Sequence, residues 1–143
     1  IGFCLVGSEM CIRDRSIGQG MPLATGAAVA CRDRPVLSLS GDGSAMYTLQ
    51  SLWTQAREQL NVTTVIYANR SYAILHGELR NVGAQPGKNT RRLFDLENPH
   101  LNWVEMARGM GVDGVRVETA EELHRAMSHG LSTPGPYLIE AIC

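Results

Sequence analysis

SLSGDGSAMYTLQSLWTQAREQLNVTTVIYANRSY, residues 38–72, is the stretch that decides the fold. The apolar run at 36–39 predicts a buried strand, and the β-branched run at 62–68 predicts a second one. Between them, apolar residues recur at helical spacing on one face: Ala45, Leu49, Leu52, Trp53 and Ala56. The order strand, helix, strand predicts a βαβ unit whose crossover is right-handed and whose strands are parallel.

Each predicted strand ends in a polar turn, GDGS at 41–44 after the first and NRS at 69–71 after the second. Both turns fall at the carboxyl ends of parallel strands, where open α/β sheets bind ligands. Gly41 and Gly43 would let the backbone approach a ligand closely. Ser44 is expected to begin a helix, and the free N–H groups at a helix N-terminus attract phosphate. The first turn therefore predicts a phosphate-binding site.

The aspartate in this turn indicates a cation. Asp42 would repel a phosphate that faced it directly, so a positive charge is expected between the two. Mg²⁺ suits this position, because it binds carboxylate, amide and carbonyl oxygens together with phosphate oxygens. Asn69 can supply an amide oxygen and Ser71 a backbone carbonyl. The residues therefore predict a magnesium site made by Asp42, Asn69 and Ser71.

The two turns together resemble the diphosphate-binding motif of thiamine-diphosphate enzymes, in which Gly-Asp-Gly is followed by Asn-Asn after a spacer. Here Gly41-Asp42-Gly43 is followed by Ala68-Asn69, so that Ala68 replaces the first Asn and Asn69 matches the metal-binding one. The surrounding GDGSAMYTLQSLWTQAR and ANRSYAIL are similar to the acetolactate synthase and benzoylformate decarboxylase branch. The resemblance covers about residues 16–143 and corresponds to the C-terminal, diphosphate-binding domain.

The resemblance implies an α/β fold, a doubly wound parallel sheet with helices on both faces. It also implies a set of cofactor-binding residues: Ile17, Gly41, Asp42, Gly43, Ser44, Asn69, Ser71, Tyr72, Ala73 and Ile74. In the family, a bulky apolar residue at the position of Ile17 supports the bent cofactor. Leu75 suits the substrate pocket and core packing equally well. His76 is a candidate proton donor, although a lone histidine is more often structural or exposed.

The resemblance further implies thiamine diphosphate and Mg²⁺ as cofactors, a 2-oxo acid substrate, and a homodimer or homotetramer. FAD is possible in a full-length enzyme. Acetolactate synthase activity is the first expectation, and a benzoylformate decarboxylase-like activity is the alternative. In the family, the activating glutamate lies on a separate pyrimidine-binding domain of the same or a partner subunit. Nothing in this sequence matches that glutamate, so these residues alone are expected to be inactive.

A non-catalytic protein remains the alternative of a different class, either a cofactor-binding or regulatory remnant or a small nucleotide-binding protein. A dinucleotide fingerprint is not met, because Met46 stands where the third glycine after Gly41 and Gly43 would be needed. The length of 143 residues suits about one domain, and a net charge of −1 favours neither a nucleic-acid nor a membrane surface. The four cysteines form no CxxC pair, which favours reduced thiols and a cytoplasmic location.

The remaining segments give simpler predictions. Residues 1–15, IGFCLVGSEMCIRDR, do not fit the pattern that follows and look like translated sequencing-adapter sequence, so we expect the domain to be 16–143. The alternative is a genuine N-terminal strand and loop. The polar stretch 80–99 predicts a long loop that serves as a lid or an oligomer contact. Two capped helices, at 102–110 and after Thr119, and two strands, at 112–117 and 137–142, complete the predicted sheet.

Overall fold

A parallel four-stranded sheet forms the centre of the computed structural model, which describes residues 17–85 and 87–143. Its strands are β1 (Val36–Gly41), β2 (Val62–Ala68), β3 (Asp113–Val117) and β4 (Tyr137–Ile142), in the spatial order β1-β2-β4-β3. Every neighbouring pair is parallel, as the βαβ pattern predicts. The segment predicted to be extraneous, residues 1–15, lies outside the described residues.

Helices cover both faces of this sheet. The helices of the described residues are α1 (Gly20–Ala30), α2 (Asp42–Ala45), α3 (Ser51–Arg57), α4 (Ala73–Asn81), α5 (Lys88–Phe94), α6 (Trp103–Gly109) and α7 (Ala120–Ser132). Ile66 of β2 packs with Leu52 of α3 and Trp103 of α6 in one core. Its neighbour Val65 points to the other face and packs with Ala126 of α7 in a second core. The predicted doubly wound α/β fold is therefore confirmed.

The predicted single helix over 45–56 is wrong, because two short helices replace it. From the end of α2 to the start of α3, backbone N–H groups donate to the carbonyl three residues earlier. Examples are the bonds from the Tyr47 N–H to the Ser44 carbonyl and from the Leu52 N–H to the Leu49 carbonyl. Such a tight segment turns the chain further per residue than an α-helix does, which shifts the phase of the helix that follows. Leu52 is consequently buried, whereas the side chain of Trp53 is 54% exposed.

The predicted polar loop at 80–99 is also wrong, since it contains α5. Neither α4 nor α5 has a buried residue, so apolar periodicity gave no signal for a second helix here. Backbone bonds hold the end of α5 beside β2. The Tyr72 N–H donates to the Phe94 carbonyl at 2.8 Å, and the Leu96 N–H donates to the Arg70 carbonyl at 2.9 Å. This segment therefore belongs to the wall of the second polar turn.

Both predicted helix caps in the second half of the chain are confirmed. The Asn102 side chain accepts a hydrogen bond from the Glu105 N–H at the start of α6. At the start of α7, the Thr119 hydroxyl accepts from the Glu122 N–H, and the Glu122 carboxylate accepts from the Thr119 N–H. This reciprocal pair fixes where α7 begins and how it enters the second core.

We expect Thr119→Ala to weaken the first turn of α7 by about 1 kcal/mol, because the Glu122 N–H loses its acceptor. Hydrogen exchange in the complete protein checks this: the first amides of α7 should exchange about fivefold faster. Thr119→Ser keeps the hydroxyl and is the matched control. Equal exchange rates in the alanine and serine variants would contradict the prediction.

Candidate functional site

The two polar turns lie side by side at one edge of the sheet. The register between β1 and β2 places Gly41 opposite Tyr67, so the two strands end at the same level. Asp42 follows β1 and is 3% exposed. Its Oδ1 accepts from the Gly43 N–H at 2.8 Å, and its Oδ2 accepts from the Arg70 N–H at 2.7 Å. One buried carboxylate therefore joins the ends of both strands.

This carboxylate is poor in compensating positive charge. Burial raises the pKa of Asp42, and the backbone hydrogen bonds from Gly43 and Arg70, together with the Arg70 charge, lower it by less. The Arg70 guanidinium also lies 3.9 Å from the carboxylate of Glu97, so its positive charge is divided between Glu97 and Asp42. A cation beside Asp42 would favour the ionised form and reverse the shift. The electrostatics of the site thus suit a bound metal ion.

The raised pKa predicts a specific pH dependence of stability without metal. The folded state holds the Asp42 proton more tightly than the unfolded chain does, whose aspartate pKa is about 3.9. The stability that this group contributes is therefore present at low pH and is lost as pH rises through the folded pKa. Relative to Asp42→Asn, the unfolding free energy of the metal-free protein should fall from about pH 4 upward. Urea unfolding in a chelator at several pH values measures it, and parallel curves would contradict it.

The turn after β2 is shaped by its own side chains. The Asn69 Oδ1 accepts from the Ser71 N–H at 3.1 Å. Arg70 has a φ of +55°, a conformation uncommon for a residue with a side chain, and its N–H is bonded to Asp42. Ser71 forms an antiparallel bridge with Asp95 in which the flanking residues make the bonds. The Ser71 carbonyl consequently points away from that neighbour.

The two glycines of the first turn have different surroundings. A Cβ built on Gly41 would meet no atom within 4 Å. A Cβ on Gly43 would lie 2.5 Å from Cε1 and 2.8 Å from Cδ1 of Tyr72. Gly41 therefore faces open space, as the sequence interpretation requires for a ligand approach, whereas the ring of Tyr72 covers Gly43.

Ser44 does not begin a helix, which corrects the sequence prediction. It is the third residue of the four-residue α2, which begins at Asp42. The Ser44 Oγ accepts from the Gly18 N–H at 3.0 Å, and the Thr48 hydroxyl donates to the Gly18 carbonyl. A helix this short has little dipole, so the anion-binding capacity of the turn depends on individual N–H groups and hydroxyls.

Ile17 lies beside this turn, one residue before Gly18, and is 47% exposed. It lines an open, largely apolar groove of about 710 Å³ along α1. The other lining residues are Gly18, Gln19, Pro22, Leu23, Gly26, Ala27 and Thr48. The structure thus brings Ile17 to the rim of the site, next to the turn after β1.

The residues after Ser71 form the second rim. Tyr72 precedes α4, and Ala73, Ile74 and Leu75 make its exposed first turn. Leu75 is 40% exposed, so the interpretation that it packs in the core is wrong within the described residues. His76 packs edge-on against Phe94, the last residue of α5, with ring centroids 5.0 Å apart. The imidazole ring is therefore in contact with α5.

Some residues of the site gave no signal in the sequence. Thr48 takes part through its hydroxyl and Arg70 through its backbone geometry, and neither residue type is diagnostic of such a site.

Residues 17–85 and 87–143 contain no cluster of three or more histidine, cysteine or acidic residues able to hold a metal. A metal here would depend on Asp42 with neutral oxygens. Among these residues, Cys31 and Cys143 are exposed free thiols, and no helix is long and apolar enough to cross a membrane.

Comparison with known proteins is consistent with this geometry. IlvX of Mycobacterium tuberculosis, whose name gives it provisionally as an acetolactate synthase large subunit, is 52% identical over 89% of this chain. Benzoylformate decarboxylase of Pseudomonas aeruginosa is 35% identical over 87%. The thiamine diphosphate-dependent 4-hydroxybenzoylformate decarboxylase of Rhodococcus jostii RHA1 superposes with a TM-score of 0.75 at 38% identity, over 87% of this chain.

This chain spans only part of those proteins, 25% of IlvX and 22% of each decarboxylase. The family model described as "Thiamine pyrophosphate enzyme, C-terminal TPP binding domain" matches residues 15–141. That range contains both polar turns and all of the described sheet except Ile142, the last residue of β4. The chain therefore belongs to the thiamine pyrophosphate enzymes, as a C-terminal TPP-binding domain of the kind found in acetolactate synthases and 2-oxo acid decarboxylases.

Proposed function

We propose that this domain binds thiamine diphosphate through Mg²⁺ as part of an acetolactate synthase-like enzyme acting on a 2-oxo acid. The observation that carries the proposal is the buried carboxylate of Asp42, held by two N–H groups from two strand ends and poor in positive charge. A carboxylate kept at that position without a cation would be unfavourable. The position itself is the ligand-binding edge of a parallel sheet.

The metal ligands we propose are Asp42, the amide oxygen of Asn69 and the backbone carbonyl of Ser71. Both carboxylate oxygens of Asp42 keep a lone pair beyond the bond each already accepts. The Asn69 Oδ1 likewise keeps one, and its bond from Ser71 fixes its orientation. Three oxygen ligands of mixed charge leave room for water and phosphate oxygens, which is how Mg²⁺ is commonly bound.

The cofactor contacts we propose lie on both sides of this metal. Gly41, which faces open space, brings backbone close to the diphosphate. The Ser44 hydroxyl keeps a proton to donate while it accepts from Gly18. On the other side, the half-buried Tyr72 and the exposed Ala73 and Ile74 line the cofactor. Ile17, on the opposite rim, supplies an apolar surface for its bent form.

Thiamine diphosphate held by these residues would supply the nucleophilic and electron-accepting chemistry that decarboxylation of a 2-oxo acid needs. The residues of this chain bind and orient that cofactor rather than move protons. His76, the candidate proton donor of this chain, packs edge-on against Phe94. Proton transfer is therefore assigned to residues outside this domain, on the pyrimidine-binding domain of the same or a partner subunit.

The apolar outer surface of α1 supports such a partner domain. Leu23 is 48% exposed and Val29 is 49% exposed, beside small residues that permit close helix contact. A helix that is apolar on all sides is usually buried. We assign the pyrimidine-binding domain to this surface in a homodimer or homotetramer.

The test uses the complete protein. Titration calorimetry should show thiamine diphosphate binding that is present with Mg²⁺ and lost in EDTA. Pyruvate is then offered and the product is identified, and acetolactate is expected. An affinity for thiamine diphosphate that is the same with and without EDTA would contradict the proposal, and so would stronger binding of ATP or NAD.

The second candidate is a decarboxylase that releases an aldehyde, and it is favoured by the 35% and 38% identities to benzoylformate-type decarboxylases. Benzoylformate offered in the same assay separates the two, because benzaldehyde without acetolactate would assign the decarboxylase. Mg²⁺-dependent cofactor binding with no product from either acid would reduce the assignment to a non-catalytic cofactor-binding domain.

A further inference from the structure

We propose that Tyr72 is a positioning residue of this site: its ring occupies the space that a side chain at residue 43 would need, and thereby holds the turn after β1 against the end of β2. The inference rests on the proposed function for its effect on cofactor binding. Its structural part concerns the cofactor-free protein alone, so the two can be tested separately.

The contact with Gly43 is too close for any other residue. The ring carbons Cε1 and Cδ1 of Tyr72 would lie 2.5 and 2.8 Å from a Cβ at residue 43, and Cζ would lie at 3.4 Å. These are aromatic ring carbons rather than the end of a flexible chain, so the ring as a whole would have to move. Gly43 has no positive φ, so its backbone conformation does not require glycine. The ring of Tyr72 is the structural reason for glycine at residue 43.

Tyr72 is itself held firmly. Its N–H donates to the Phe94 carbonyl at 2.8 Å, and its carbonyl accepts from the Leu75 N–H at 2.9 Å. Two residues before Tyr72, the Arg70 N–H donates to the Asp42 carboxylate. The ring and the Asp42 carboxylate thus connect the same two turns at different points. A change at the ring should be felt at the carboxylate.

Tyr47 is a neighbour of the Tyr72 phenol. Burial raises the pKa of the Tyr72 phenol, and the neighbouring Tyr47 and Asp42 raise it further, so the phenol is neutral beside the carboxylate. Tyr47 in turn packs on Gly18, where a Cβ would lie 2.6 Å from the Tyr47 Cβ. The contacts therefore run from the Gly18 loop through Tyr47 and Tyr72 to Gly43.

The test is a double-mutant cycle in the complete protein. Gly43→Ala should lower the thermal midpoint of the cofactor-free protein and weaken Mg²⁺·thiamine diphosphate binding by about tenfold. Tyr72→Ala removes the ring and makes room, so the double variant Gly43→Ala/Tyr72→Ala should recover most of the midpoint lost by Gly43→Ala. Gly43→Ala combined with Tyr72→Phe, which keeps the ring, should recover none.

The cofactor measurements test the positioning role. Tyr72→Ala alone should raise the cofactor dissociation constant by about fivefold. Tyr72→Phe should restore the affinity. A double variant no better than Gly43→Ala would overturn the inference, since the ring would then not be what excludes a side chain at residue 43. If the wild type binds no thiamine diphosphate, the proposed function fails, and the thermal midpoints still decide the role of the ring.

Discussion

Asp42→Ala is expected to abolish Mg²⁺-dependent binding of thiamine diphosphate by the complete protein. The substitution removes the only carboxylate that we assign to the metal. It also leaves two N–H groups, of Gly43 and Arg70, without their acceptor. The loss in affinity should be at least about a hundredfold, because an unpaired buried donor alone costs about 1–3 kcal/mol and a metal charge is then also uncompensated.

The same two orphaned donors make Asp42→Ala liable to unfold locally, so a second variant is needed. Asp42→Asn keeps the volume of the side chain and one carbonyl oxygen but removes the charge. Circular dichroism establishes folding, and calorimetry with and without EDTA measures the metal dependence. Both variants should bind the cofactor equally weakly in either condition. A folded Asp42→Asn protein that keeps the wild-type response to Mg²⁺ would show that another group binds the metal.

The sequence predicted the parts of the fold that depend on local pattern. Apolar runs at 36–39 and 62–68 are the two adjacent parallel strands, and their polar ends do meet. The reason is that a parallel βαβ unit leaves little freedom in where its strands end. The capping residues Asn102 and Thr119 were also predicted, because a cap is specified by residues three positions apart.

What the sequence could not predict depends on contacts between distant segments. Nothing in the composition of 88–94 marks a helix, since no side chain of α5 is buried. Arg70, which has a positive φ, bonds through its N–H to Asp42, 28 residues earlier. The role of Tyr72 against Gly43 likewise becomes visible only when both turns are placed together. A glycine in a turn has two explanations, a ligand or a neighbouring side chain, and only the structure distinguishes them.

Gly18→Ala is expected to have the largest effect on stability, about 3 kcal/mol or more, because two separate costs add. Gly18 has a φ of +91°, which disfavours any side chain, and its new Cβ would lie 2.6 Å from the Tyr47 Cβ. Neither atom belongs to a flexible chain end. Both backbone polar groups of Gly18 bond the turn after β1, through Ser44 and Thr48.

Gly135→Ala is the matched control for that prediction. Gly135 has a similar φ of +105°, but a Cβ there would meet no atom within 4 Å. It therefore reports the cost of backbone strain alone, about 1–3 kcal/mol. Chemical unfolding of both variants without cofactor gives the difference, which is the cost of the contact with Tyr47. Equal losses would mean that Tyr47 moves aside freely. Since Gly18 and Ser44 are bonded, the Gly18 variant should also bind Mg²⁺·thiamine diphosphate more weakly, whereas Gly135→Ala should bind it normally.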